Sequence, residues 1–429
     1  MLAGEALRFP RSLWVETVAR IPMCEPLRGS LDVDVAIVGA GFTGLSTAIH
    51  LAERGISSIV LDAAQPGWGA SGRNNGQVIA GLKQDPDVVQ SIWPGAEGRK
   101  LIDFASEAPS RVFDLIRRFG IDCSATNAGW IQPAYNETGR RAIIRRFNAW
   151  RSLGVDATLI HGTELSDLLG TNRYVLGWMD PRGGSVHPLS YVRGLNQVAL
   201  SLGVRVFGDT KVERVMRVGE QYIVMCPEGS VTARHVVIAT AAYSEDIVPG
   251  LKQSFVAVRT AQVATRPLSP NMRDKILPGG HVASDTRQLL TSFRQSPDGR
   301  LVMGGAGATA GVNHAGIVPY LRAAGEDLFG SLGKLHWEFE WSGYFAVTTD
   351  HLPHIHEPTP NMVVAVGCNG RGIAISTSIG IEMARYIADR DAAQLSIPLT
   401  GIGKVPFHRY RSLGVGIATR IKRIQDRFG

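Results

Sequence analysis

The sequence predicts an α/β fold with two sheets. One is a parallel sheet assembled from segments far apart in the chain, and the other is antiparallel. Three observations predict it. A near-continuous apolar run over residues 33–38 leads into glycines at 39, 41 and 44, then a helical stretch, then a second apolar run closed by Asp62. A strand, glycine turn and helix recur near the other end of the chain, over residues 362–373. Between them, parts of residues 255–343 alternate and turn as antiparallel strands do, with "SPDGR" reading as a hairpin turn.

The bulk composition suits such a protein. Of 429 residues, 44% are hydrophobic and 19% charged, which allows a sizeable core and argues against disorder. The 49 glycines cluster in short groups, as tight turns and close backbone approaches require. The formal charge of +7 has no long basic run outside the C-terminus, and no motif points to nucleic acid. The four cysteines are scattered and form no CxxC pair, which fits a reducing cytoplasm and no metal centre. No signal peptide and no transmembrane stretch is expected.

Taken in order, the first unit is Rossmann-like. Gly39 permits the tight turn, Gly41 lets a pyrophosphate approach the backbone, and Gly44 lets the helix pack on the strand. The helix that follows, roughly Gly44 to Arg54, offers free N–H groups and a positive dipole end that suit phosphate. Gly55 ends it. Asp62, at the tip of the second strand, can accept from a ribose hydroxyl pair and disfavours a 2′-phosphate. Next comes "GWGASGRNNGQV", residues 67–78, too flexible and polar for strand or helix. "RKLIDFASEAPSRVFDLIRRFGI" reads as helix, as do residues 188–202. "TKVERV" follows a further strand, and residues 236–239 form another that ends in small residues.

These pieces resemble the D-amino-acid-oxidase-like FAD oxidoreductases, and within them the bacterial γ-glutamylputrescine-oxidase and glycine/sarcosine-oxidase-type amine oxidases. The likeness spans nearly the whole chain. It implies that Gly39, Gly41, Phe42, Thr43, Gly44, Asp62 and Ala63 hold the nucleotide. The loop bearing Gly69, Ala70, Ser71, Arg73, Asn74, Asn75, Gly76 and Gln77 would run along the cofactor. Val212 would contact adenine through its main chain, and Ala239, Thr240 and Ala241 would let the chain pass close by. Asn369, Gly370, Arg371, Gly372 and Ile373 would form the C-terminal motif, its helix start facing the flavin pyrimidine edge. Two glycine-rich helix starts imply one extended ligand held at both ends; FAD is such a ligand, whereas NAD needs only the first. Members often carry Gly at the position of Asn75 and an aromatic at that of Cys368. The flavin-linking cysteine of sarcosine-oxidase relatives has no counterpart near residues 348–350, so the FAD is expected to be non-covalent.

The expected organisation has residues 31–84, 188–244 and 351–393 in the FAD domain. Residues 85–187 and 255–343 form the substrate domain, 1–30 an N-terminal extension and 394–429 a basic tail. In the tail, Ile417, Ile421, Ile424 and Phe428 lie at helical spacing among basic residues, as in a helix packed on its own protein or in peripheral contact with a membrane. The reaction implied is oxidation of a C–N bond of an amine or amino acid by hydride transfer to flavin N5, with O2 reoxidation giving H2O2. A dehydrogenase serving a quinone or carrier, or a flavin-bearing subunit without turnover, is the alternative. Pocket candidates are Trp341, Tyr344 and Phe345, whose rings can face a cationic amine, and Arg259 and Arg294, either of which can clamp a carboxylate. Arg287 lies beside the same strands, His187 reads as a capping residue, and His351, His354 and His356 as a bend rather than a metal cluster. No catalytic side chain is assigned.

Overall fold

The computed structural model describes residues 6–309 and 316–410, and single positions at 414, 421 and 426. The helical reading of 417–428 therefore rests on residues almost wholly outside this set.

The nucleotide-type sheet runs in the order His354–Thr359, Met362–Val366, Gly229–Ile238, Gly29–Val38, Ser58–Leu61 and Arg205–Phe207. The last five are parallel, and the edge strand His354–Thr359 runs antiparallel to them. A meander of Arg214–Val218 and Gln221–Cys226 extends from Gly229–Ile238. Val35 to Val38, Ser58–Leu61 and Met362–Val366 are buried throughout, because helices cover one face and the meander, with residues such as Phe255 and Tyr344, covers the other. The first strand begins at Gly29, earlier than the apolar run suggests, because its outer half pairs with Gly229–Ile238 while half exposed.

Helices Phe42–Ala52, Ala96–Phe119, Pro188–Ser201 and Gly372–Asp389 join this layer to one continuous core. The long helix Ala96–Phe119 is amphipathic, tolerates Pro109 and ends at Gly120 in the left-handed region (φ 61°).

The second sheet has the order Trp337–Val347, Val256–Thr265, Leu301–Thr309, Thr291–Gln295, Val282–Ser284, Trp130–Pro133, Leu176–Asp180 and Thr158–His161. It is antiparallel except where Val282–Ser284 lies parallel to Trp130–Pro133. That junction joins two stretches separated in sequence by the nucleotide sheet. No hairpin links them, so nothing dictates the antiparallel direction there. Residues 77–78, in the glycine-rich loop, pair with Gly184–Ser185 as a small separate sheet that the sequence does not announce.

Candidate active site

The site begins at the first glycine turn. Gly39 sits at φ 108°, and a Cβ there would approach the Ala239 carbonyl oxygen to 2.9 Å. A Cβ on Gly44 would run into the Gly39 carbonyl, and one on Gly41 would come within 2.9 Å of Ser71 Oγ. The start of helix Phe42–Ala52 has no side-chain cap from Gly41; its Phe42 N–H donates to Ser71 Oγ at 3.0 Å. Burial raises the pKa of the Asp62 carboxyl. The N–H groups of Ala64 (2.9 Å) and Ala40 (2.6 Å) donate to its carboxylate and oppose that rise. Asp62 thus braces the turn by a bond to each flank, and Ala63 lies within that brace.

The C-terminal turn lies beside the first. Thr43 Oγ1 donates to the Ser376 carbonyl (3.1 Å) and Ser46 Oγ to that of Thr377 (2.7 Å), so helices Phe42–Ala52 and Gly372–Asp389 touch near their N-terminal ends. Asn369 (φ 51°) accepts from Thr348 N at 3.0 Å and donates to the Gly367 carbonyl at 2.6 Å, fixing the turn from inside. A Cβ on Gly370 would meet the Phe345 ring at 3.7 Å. Ile373 is buried, and Arg371, at the helix start, donates to the Ala80 carbonyl and stacks on Trp130 with Cζ 5.2 Å from the ring centroid. Burial pushes the Arg371 guanidinium down to about 10. Among the described residues no carboxylate lies within ion-pair distance of it: Asp85 is paired with Arg146 and Arg145, and Asp180 with Arg182.

The glycine-rich loop runs alongside. Residues 70–72 form one 3-10 turn. Asn74 is turned inward, donating to the Ala70 (3.1 Å) and Ser71 (2.8 Å) carbonyls and accepting from Gly76 N (2.9 Å). Gln77 reaches the second sheet, donating to the Ala283 carbonyl (2.9 Å) and accepting from Ser284 Oγ (2.7 Å). Arg73 lies over Trp68 and donates to its carbonyl at 2.6 Å. Asn75 Nδ2 donates to Gln262 Oε1 at 3.0 Å, while its buried Oδ1 has no partner.

The second sheet presents one face to this loop. Gln262 is opposite Trp341, Thr260 opposite Gly343 and Val258 opposite Phe345, which places these side chains on a common face by the two-residue period. Trp341 Nε1 donates to the Arg73 carbonyl at 2.9 Å. Arg259 and Tyr344 form the adjacent pair and therefore point to the other face, where Arg259 Nε donates to Tyr344 Oη at 2.7 Å and Tyr344 packs edge-on against Tyr243. The three aromatics at 341–345 thus divide between two faces. Arg294 is also not at an open surface. Its Nη1 donates to the carbonyls of Gly76 (3.0 Å) and Val186 (2.7 Å), which makes it a strut under the loop. Arg287 pairs with the buried Asp285, 3.3 Å away. His187 caps helix Pro188–Ser201, accepting from Ser190 N at 3.1 Å.

Val212 is buried and lines an open cleft of ≈ 420 Å³ with Lys211, Glu213, Glu245, Asp246, Ile247 and Lys252. Ala239 N donates to the Val38 carbonyl, and Ala241 adopts φ 46°, a left-handed conformation unusual for alanine. His354 and His356 stack and bond to Asp350 and Thr400. Among the described residues no group of three potential ligands is arranged to hold a metal ion.

The family model described as DAO, FAD dependent oxidoreductase, matches residues 34–386. The chain belongs to this FAD-dependent oxidoreductase family. It is 30% identical over 373 residues to a probable oxidoreductase, OrdL, of Haemophilus influenzae, covering 85% of each chain. It is 28% identical to the gamma-glutamylputrescine oxidoreductase of Escherichia coli, covering 94% of this chain and 95% of that one. Among solved structures, glycine oxidase from Geobacillus kaustophilus shares the fold with a TM-score of 0.72 at 21% identity, over 85% of this chain and 96% of the other.

As a member of this family the protein is an FAD-dependent oxidoreductase. The residues present suit FAD: two neighbouring helix starts, neither capped by its own N-cap side chain, and a buried Asn75 oxygen left without a partner. Gln262 and Trp130 belong to the site although no motif in the sequence marks them. Gln262 leaves a faint signal, a lone amide in the apolar strand "AQVAT". Trp130 leaves none, since nothing local marks an indole whose partner, Arg371, is far away in the chain.

Proposed function

We propose that this oxidoreductase removes two electrons from a nitrogen-bearing carbon of a small amine or amino acid, with O2 as the final acceptor and H2O2 as a product. Bound FAD would supply the two-electron acceptor for this chemistry. The observation that carries the reading is the sheet face opposite Asn75, where Thr260, Gln262, Trp341 and Phe345 offer amide, hydroxyl and aromatic groups but no acid or base. An amine of solution pKa about 10 must be neutral to donate, and removal from water against the uncharged side chains of Thr260, Gln262, Trp341 and Phe345 favours that form. Positioning the substrate C–H can then supply much of the rate. Arg371, a desolvated cation without an ion-pair partner among the described residues, suits a substrate carboxylate and so favours an amino-acid-like amine. The imine product hydrolyses to a carbonyl compound and an amine or ammonia.

The relatives named for γ-glutamylputrescine and, at 24% identity, for sarcosine support the C–N reading. The lack of a cysteine near residues 348–350 supports a non-covalent cofactor. Four free thiols and no disulfide among the described residues support a cytoplasmic setting. No described helix is long and apolar enough to cross a membrane.

The test is anaerobic mixing of the purified yellow protein with polyamines, γ-glutamylated amines, N-methyl amino acids and D-amino acids, followed by a peroxide assay in air. Bleaching by one class, peroxide in equal amount, and colour released by acid precipitation are expected. Bleaching with turnover only on an added dye identifies a dehydrogenase instead. No bleaching by any amine removes the C–N assignment.

A further inference from the structure

The N-terminal segment before the first strand has no place in the nucleotide fold, yet its Trp14 is fully buried. This segment lies across the glycine-rich loop and the helix start at Pro188. Ser12 caps the short helix Leu13–Thr17 by accepting from Val15 N at 3.2 Å. Thr17 Oγ1 meets His187 Nε2 at 3.0 Å, and Arg193 donates to the Ala19 carbonyl at 2.8 Å. Further along, Cys24 and Gln65 exchange two hydrogen bonds.

The contacts with the loop are made by indoles. Trp14 Nε1 donates to the Asn74 carbonyl (2.8 Å), Trp341 Nε1 to the Arg73 carbonyl (2.9 Å), and the loop's own Trp68 Nε1 to the Arg8 carbonyl (3.0 Å). Trp14 and Trp341 meet edge to face, 5.7 Å between centroids. Consecutive carbonyls of a segment with no ladder partners are thus held by donors from two elements remote in sequence. The next residue is Asn75, whose Oδ1 is buried and unpartnered.

We propose that Trp14 is a cofactor-positioning residue: through the Asn74 carbonyl, the N-terminal strap sets the main chain of residues 73–75 and so the direction in which the Asn75 amide faces bound FAD. The geometry requires the indole N–H in particular. An aromatic ring alone would fill the space and leave the carbonyl unheld. The inference rests on FAD lying along this loop.

The experiment compares wild-type, Trp14→Phe, Trp341→Phe and Trp150→Phe proteins, the last a buried indole in another helix. FAD is removed and titrated back, and each apo-protein's thermal midpoint is measured. Trp14→Phe should bind FAD about fivefold to tenfold more weakly, the effect of one lost buried hydrogen bond, with an altered visible circular-dichroism spectrum. Trp341→Phe should behave alike, and Trp150→Phe should change the midpoint only. Unchanged FAD affinity in Trp14→Phe with a lowered midpoint would reduce Trp14 to packing and overturn the proposal. Hydrogen exchange on the wild-type protein decides the matter if the variants do not fold. Residues 8–17 and 67–78 should gain protection together on adding FAD, and an unchanged 8–17 overturns the proposal. A wild-type chain that fails to take up FAD refutes the site reading itself, a separate outcome.

Discussion

At the scale of single residues, His187 shows how burial converts a titratable group into a structural one. Its Nδ1 accepts from Ser190 N, its Nε2 meets Thr17, and its ring lies edge to face with Trp14 at 4.9 Å. Desolvation first, then the neighbouring Arg294 cation and, least, Arg193, push its pKa down to about 4, against opposing pulls from a backbone hydrogen bond and from Asp298. Because the unfolded chain, near 6.5, binds the proton more readily, stability from this group is complete above about pH 6.5 and is lost as the pH falls toward 4. The span corresponds to about 3 kcal/mol. His187→Asn keeps a capping acceptor but cannot titrate. Urea denaturation from pH 7.5 to 4.5 should give a shallower acid limb for this variant than for the wild type. Parallel limbs would show that the imidazole does not titrate as its surroundings dictate. His50, His235 and His356 are also lowered, chiefly by burial, so the comparison with the variant isolates the His187 share.

At the scale of elements, the site is made by two helices that must come close enough for their first turns to serve one ligand. Gly380 permits this. A Cβ there would fall 2.5 Å from Ser46 Cβ and 2.7 Å from the Thr43 carbonyl oxygen. Gly380→Ala should therefore force the helices apart, lowering stability by about 1–3 kcal/mol. It should weaken FAD binding as well, although residue 380 is two turns from the glycine motif. Denaturant midpoints and FAD titration check both, and an unchanged affinity would mean that the helix starts bind independently. These elements also show what a sequence can reveal. The strand 362–366, the glycine turns and the helix starting at Pro188 were legible because each depends on local rules of period, capping and positive φ. The partition of Trp341, Tyr344 and Phe345 was legible in principle from strand alternation, but only once the strand's bounds are known. The engagement of Arg294 under the loop was not legible, because its carbonyl partners at 76 and 186 belong to two other segments. Trp14 was hidden for the same reason.

At the scale of the whole molecule, the chain passes repeatedly between its two sheets. Residues 29–61, 205–238 and 354–366 supply the nucleotide sheet, whereas 130–180 and 256–347 supply the other. Neither sheet consists of one continuous segment. Melting one alone would leave the other with its strands tethered through long unfolded loops, whose closure cost grows with each crossing. The loop at 67–78 adds direct links, since Gln77 bonds strands of the second sheet and Trp341 of that sheet bonds Arg73. Unfolding should therefore be a single transition for both sheets, despite a chain length at which separable domains are common. FAD should move that transition upward as a unit, by about 2.7 kcal/mol of added stability when free FAD is 100 times its dissociation constant. Scanning calorimetry of the apo- and holo-protein checks this through the ratio of calorimetric to van't Hoff enthalpy. Two transitions, of which only one responds to FAD, would mean that the interleaved strands do not couple the sheets and that the loop's bonds across them are weaker than their geometry implies.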